Sequence, residues 1–210
     1  MRIGIQKSGR LRQCSEVYFA GIGWESAQGE ALLLQDCIDD PDIQFVYTRQ
    51  SDLPKLLEQG VLDVAIVGQN IIREKPADCD VLQLLDCGIC RLVISIPNEK
   101  NWALEDLNGK TIATSYPNSL KRYLDRQNIE VDIVELSGSV EIAPAVGLAD
   151  AVCDIVQTGK TLAQNGLKTL ETVYKSQAVL ISSPKISTSD RKKLEGRIQN
   201  ANVLLQPVNA

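Results

Sequence analysis

The sequence predicts an α/β protein with mostly parallel sheets, divided into two α/β lobes around a cleft. Three observations lead there. Short apolar runs rich in β-formers alternate with helical stretches almost from end to end, the pattern of strands joined by crossover helices. Two turn-rich breaks, at 96–100 and 182–184, cut an 80-odd-residue α/β unit out of the middle of the chain. With 210 residues, 44% hydrophobic and 23% charged, the chain has the composition of an ordinary globular protein and the length of one large domain or two small ones. The first lobe is expected to hold residues 1–96 and 180–210, and the second 97–179. A cleft between two lobes is a natural ligand site.

In chain order, strands are expected at residues 2–6, 43–47, 61–67, 92–96, 110–114, 131–136, 151–156 and 178–182. A helix is expected over 53–59, capped by Ser51 or Asp52 and ended by Gly60. Another spans 118–127, where Leu120, Tyr123 and Leu124 share a face. The last covers about 189–205, where Leu194, Ile198, Ala201 and Leu205 form an apolar stripe.

Composition excludes several chemistries. Lys plus Arg number 22 against 27 Asp plus Glu, a net charge of −5, so no bulk positive field exists to bind nucleic acid. Histidine is absent, which removes Ser-His-Asp and Cys-His catalysis, histidine bases and histidine-ligated metals. The N-terminus enters a strand pattern directly, without a signal segment, and no apolar run has the roughly 20 residues of a membrane span. The expectation is a cytoplasmic protein whose six cysteines are reduced thiols. Cys87-Gly88-Ile89-Cys90 spells C-x-x-C, but a zinc site needs a second pair and none exists.

Four strand-end segments carry possible chemistry. The apolar run 151–156 leads into Gln157-Thr158-Gly159-Lys160-Thr161. There, successive backbone N–H groups and two hydroxyls can cradle an anion, and Gly159 allows close approach. The spacing is not that of a Walker A loop, and the turn also reads as an ordinary βα connection. Lys7-Ser8-Gly9-Arg10 follows the first strand, at the end of the sheet where α/β proteins bind ligands, or is a solvated loop. Glu141, after the 131–136 strand, either caps a helix or meets a ligand hydroxyl. Tyr116, in Thr114-Ser115-Tyr116-Pro117-Asn118, either packs ahead of a helix or offers a face to a heterocyclic base.

Together these segments resemble a known family. The run Gly138-Ser139-Val140-Glu141-x-Ala143-Pro144-x-x-Gly147-Leu148-Ala149-Asp150-Ala151-x-x-Asp154-x-Val156-x-Thr158-Gly159-x-Thr161-Leu162-x-x-Asn165-Gly166-Leu167 closely resembles the signature of ATP phosphoribosyltransferases, the first enzymes of histidine biosynthesis. Lys7-Ser8-Gly9-Arg10-Leu11, Asp63-Val64-Ala65-Ile66-Val67-Gly68-Gln69-Asn70, Cys90-Arg91-Leu92 and Lys121-Arg122-Tyr123-Leu124 are similar to further segments of that family.

The resemblance implies two lobes built like a type II periplasmic binding protein. It implies a reaction in which N1 of ATP attacks the anomeric carbon of phosphoribosyl pyrophosphate and magnesium-bound pyrophosphate leaves. On that basis Thr158, Gly159, Lys160 and Thr161 hold the ribose 5-phosphate, and Asp154 or Glu141 contacts the ribose hydroxyls. Lys7 and Arg10 face the pyrophosphate, while Gly68, Asn70, Arg91 and Tyr116 flank ATP. Such a glycosyl transfer needs leaving-group charge stabilised and reactants aligned, and no histidine base. Magnesium is expected to arrive on the substrate, with no protein metal site.

The chain's length resembles the family's short form, which works in oligomers with a regulatory subunit related to histidyl-tRNA synthetase. Its wording at 6–11 and 114–117 is closer to the long form. An Arg expected near 25–31 is missing; Arg49, Arg91 or a neighbouring subunit is left to replace it. A non-catalytic two-lobed solute-binding or sensor protein is the second reading, and a C-x-x-C redox protein the third.

Overall fold

The computed structural model describes residues 1–27 and 33–204. The chain divides into two compact units. The first comprises the described parts of Met1–Ile72, Pro76–Gly88 and Gln177–Ala210, and the second Arg73–Lys75 with Ile89–Ser176.

The first unit is built from β1 (Arg2–Gln6), α1 (Arg10–Gly21), β2 (Leu34–Asp36), β3 (Gln44–Thr48), α2 (Leu53–Glu58), β4 (Val64–Gly68), the start of α3 (Gln69–Glu74), and β5 (Asp80–Leu84). Its sheet has the order β2-β3-β1-β4-β11-β5, with β11 at Ala178–Ser182, and α6 (Thr188–Leu204) closes the unit. Both faces of the central strands are covered, which is why they read as unbroken apolar runs. Val64, Ile66 and Leu180 pack with Phe19, Trp24 and Leu194 on one side. Ala65, Val67, Val179 and Ile181 pack with Leu53 and Leu57 of α2 on the other. Gly4 lets α2 approach β1, since a Cβ there would stand 2.6 Å from Leu53 Cδ2 and from Leu62 Cδ1.

The second unit holds β6 (Cys90–Pro97), β7 (Thr111–Thr114), α4 (Pro117–Gln127), β8 (Asp132–Glu135), β9 (Ala151–Val156), α5 (Lys160–Gln164) and β10 (Leu167–Ser176). The sheet order is β10-β6-β9-β7-β8. Leu92, Ile94 and Ile96 pack on Leu120 and Leu124 of α4. Val93, Val152 and Val156 on the opposite face pack on Val140, Ala143 and Leu162. The 118–127 helix forms with the expected face: Leu120 and Leu124 are buried, and Tyr123 packs against their cluster. It ends at Asn128 in the left-handed region at φ 57°, a conformation asparagine tolerates better than most residues.

Three expectations are corrected. The sheets are mixed, not mostly parallel: β1–β3, β1–β4, β7–β8 and β7–β9 are parallel, whereas β2, β6, β10 and β11 pair antiparallel. A strand buried on both faces has the same apolar run in either orientation. The boundary expected after residue 96 falls between Gly88 and Ile89. The almost wholly buried β6 needs a neighbour on each side and finds β9 and β10. Third, Cys14 and Cys87 are joined as a disulfide with Cα atoms 6.3 Å apart, because α1 runs beside the turn after β5; Cys37, Cys79, Cys90 and Cys153 are free. Of the expected 189–205 stripe, Leu194 is buried and Ile198 packs on the core. The side chain of Ala201 and the whole of Leu205 lie outside the described residues.

Candidate active site

In the second unit the site grows from the C-terminal end of β9. Alternation along that strand puts Val152, Asp154 and Val156 on one face, the face covered by the 3₁₀ turn Val140–Ile142 and by α5. Beyond Val156 the chain turns at Gly159, which has φ +80° and precedes the first residue of α5. A left-handed φ at this point suits glycine. A Cβ added there would meet only Val156 Cγ1, at 4.0 Å, so the backbone faces open space. The Lys160 amide leans on Thr158 Oγ1 at 3.4 Å. Among the described residues no backbone carbonyl takes the amides of Thr158, Gly159, Thr161 or Leu162. These donors remain available to an anion.

Asp154 sits beneath this loop. Burial pushes its carboxyl up to about 6, the Ile155 amide opposes that shift, and the negative charge of Glu141 adds to it. The Ile155 amide donates to Asp154 Oδ1 at 2.8 Å. Glu141 lies in the 3₁₀ turn after Ser139, whose φ is 50°. A desolvated carboxylate that feels the charge of a second one thus lies at the strand end leading into a run of anion-seeking amides. Arg91 joins them by register: it pairs with Val156 across β6 and β9. Directly opposed residues project to the same face, so Arg91 shares the face of Asp154. The sequence assigned Arg91 to ATP; the register sets it beside the 157–161 loop.

Tyr116 is held differently. The Thr114 hydroxyl donates to the Cys153 carbonyl at 2.6 Å and accepts from the Tyr116 amide at 2.8 Å. The Tyr116 ring packs against the cluster of Leu120 and Leu124, on the α4 side of the sheet rather than with Asp154. Pro117 then opens α4.

In the first unit the C-terminal ends of β1, β3 and β4 lie side by side. They gather Lys7, Arg49 and Gly68 at one sheet edge. The Lys7 amide donates to the Thr48 carbonyl at 2.8 Å, and its carbonyl accepts from Arg12 Nη1 at 3.1 Å. Arg10 begins α1, but its side chain lies outside what is described. Asn70 is buried and folds back over Gly68: a Cβ on Gly68 would collide with Asn70 Oδ1 and stand 2.9 Å from Gln50 Nε2. Gln6 Oε1 and Gln50 Nε2 at this edge are buried without a hydrogen-bond partner, a condition native proteins rarely leave unfilled. The sequence reading passed over both; the signal was their position, Gln6 as the last residue of β1 and Gln50 two residues beyond the end of the adjacent β3. Of the segment expected to carry an Arg, residues 28–31 lie outside the described residues.

Among the described residues no group of three or more Cys, Asp or Glu could hold a metal. The Asp154–Glu141 pair nevertheless fits magnesium carried on a diphosphate, since that ion takes one or two carboxylates and fills its shell from phosphate and water. No helix among the described residues is long and apolar enough to cross a membrane.

The fold and the strand-end sites define a two-lobed α/β protein of the periplasmic-binding-protein type. A periplasmic aliphatic sulphonate-binding protein of Escherichia coli shares that fold, at TM-score 0.61 and 15% identity over 97% of this chain and 72% of its own. The model of the HisG family, ATP phosphoribosyltransferase, matches residues 49–202. An ATP phosphoribosyltransferase of Cytophaga hutchinsonii is 42% identical over 196 residues, 93% of this chain and 68% of the relative. The ATP phosphoribosyl transferase (HisG:HisZ) complex of Thermotoga maritima superposes at TM-score 0.81 with 27% identity, covering 96% of each chain. The chain belongs to the ATP phosphoribosyltransferase family, and it is an enzyme of the first step of histidine biosynthesis.

Proposed function

We propose that the second unit binds the phosphoribosyl half of the donor. The 5-phosphate sits against the amides and hydroxyls of Thr158, Gly159 and Thr161, with Lys160 adding charge. Asp154 and Glu141 meet the ribose hydroxyls and the substrate's magnesium, which supplies charge neutralisation for the departing diphosphate. Arg91 reaches the donor from the same face and takes over the task of the Arg absent from the 25–31 segment. Lys7 and Arg10 attend the pyrophosphate, and Gly68, Asn70 and Tyr116 flank ATP. N1 of ATP attacks the anomeric carbon as the C–O bond to pyrophosphate breaks. A transition state with oxocarbenium character gains from ribose-facing carboxylates and from cations at the leaving group.

The observation that carries this reading is the Asp154–Glu141 pair lying on the sheet face that also bears a loop of uncommitted amides. No histidine is needed, because aligned reactants and a stabilised leaving group supply most of the acceleration.

Cytoplasmic location, homo- or hetero-oligomer assembly and a histidyl-tRNA-synthetase-like regulatory subunit are part of the proposal. The solved relative of 27% identity is described as a HisG:HisZ complex. The test is product absorbance with ATP, phosphoribosyl pyrophosphate and magnesium, with and without the candidate subunit, beside sedimentation of the same mixtures. Turnover in either mixture supports the reading, and its lack in both rejects it.

A further inference from the structure

We infer that Cys14 and Cys87 are a reversible redox site, closed by low-molecular-weight disulfides and reopened by dithiols, that fixes the start of α1. The two Cα atoms stand 6.3 Å apart, inside the range a disulfide spans without backbone movement. Both residues are half-buried, so a small thiol reagent can reach them. Cys37, Cys90 and Cys153 are buried. Cys79 is kept in its thiol form by burial and by its neighbours Asp78 and Asp80, so exchange is directed to the 14–87 pair.

The surroundings show what the bond would restrain. Cys14 lies in the second turn of α1, four residues beyond the helix's first residue. Three residues before it, Leu11 packs so closely on the following turn that a Cβ at Gly88 would stand 2.7 Å from Leu11 Cδ2. Gly88 holds a φ of 64°. The Cys87 carbonyl is anchored by the Ala178 amide at 2.9 Å, and the Leu85 amide donates to the Ala178 carbonyl at 3.0 Å. One partner cysteine is therefore fixed to β11, and the other rides on the helix that carries the 7–10 segment. Between β1 and α1 the backbone turns at Gly9, with φ 88°, so the first turn of α1 has a pivot that the bond would immobilise.

Closure balances as thiol–disulfide exchange. One cysteine thiolate attacks a sulfur of the small disulfide and expels one small thiolate. The second cysteine thiolate then attacks the protein sulfur of the mixed disulfide and expels the other. The protein gives up two electrons and two protons, and the reagent leaves as two thiols.

The effect on catalysis rests on the transferase reading; the pairing does not. The full chain is incubated with oxidised or reduced glutathione, alkylated and peptide-mapped, then followed by amide hydrogen exchange and by turnover, beside C14S and C87S. The expected result is a Cys14–Cys87 peptide in the oxidised wild type alone, with exchange across 7–14 slowed about tenfold. Phosphoribosyl transfer should fall about fivefold or more and return with dithiothreitol, while both variants ignore the reagent. Glutathione adducts on single cysteines without the linked peptide would overturn the inference. So would a linked peptide that leaves both exchange and turnover unchanged. A reduced enzyme without turnover counts against the transferase reading, and hydrogen exchange then decides the redox site by itself.

Discussion

Asp154 of the second unit feels the negative charge of Glu141, which adds to the burial that lifts its carboxyl to about 6. A group held like this works against the folded state when ionised. Its folded value lies above its ordinary one, so the stability it contributes is complete at low pH and disappears as pH rises through about 6. The variant D154N is neutral throughout. It should unfold at a similar temperature to the wild type near pH 4.5 and several degrees higher at pH 7.5, read by calorimetry across that range. The same substitution should raise KM for phosphoribosyl pyrophosphate about tenfold or more, since the ionised oxygen that destabilises the free protein is the one offered to the ribose. A variant equally stable at both pH values would remove the carboxylate from its buried setting.

Gly159 supplies the left-handed turn of the loop, at φ +80° with open space where a Cβ would point. Replacement by valine strains that conformation while its Cβ finds open space, so the chain should fold with the wild-type circular dichroism spectrum. The loop amides would lose their common aim, and affinity for phosphoribosyl pyrophosphate, followed by calorimetric titration, should fall about a hundredfold. Unchanged affinity would take the 157–161 loop out of the site.

Arg91 faces the same side as Asp154 through its pairing with Val156. If it serves the donor, R91A raises KM for phosphoribosyl pyrophosphate about tenfold or more and leaves KM for ATP within about twofold. The reverse pattern would return Arg91 to the nucleotide, where the sequence placed it.

How far the sequence could be read follows from which signals are local. The 118–127 helix has its apolar face at helical spacing and a proline at its start, and both lie in one short window. The turn after Val156 is equally local, since a glycine between two threonines at the end of an apolar strand needs no distant partner. Arg91 was assigned to ATP because its place beside the loop is set by strand register, which depends on residues some 65 positions away. The 14–87 pairing depends on how α1 lies along the turn after β5. The Cys87/Cys90 spacing instead suggested a local motif, but Cys90 begins a buried strand of the other unit. Strand direction was the least legible property. β6 and β11, buried on both faces, have the apolar runs of parallel strands.

Glu74 was not singled out by sequence, yet it has a clear structural task. Its carboxylate accepts from the amides of Asn118 and Ser119, each at 2.9 Å, and its carbonyl from Asn118 Nδ2 at 3.3 Å. Glu74 is buried, so this side chain from outside α4 satisfies donors that the helix start cannot satisfy itself and sets a negative charge against the positive end of the helix. E74A leaves the buried Ser119 amide and the part-buried Asn118 amide without their acceptors and should cost about 2–4 kcal/mol in urea unfolding. E74Q retains one acceptor oxygen and should cost about half as much. Because α4 follows directly on the Thr114–Tyr116 corner, E74Q, still folded, should raise KM for ATP more than KM for phosphoribosyl pyrophosphate. Equal changes in both constants would confine Glu74 to stabilising the helix.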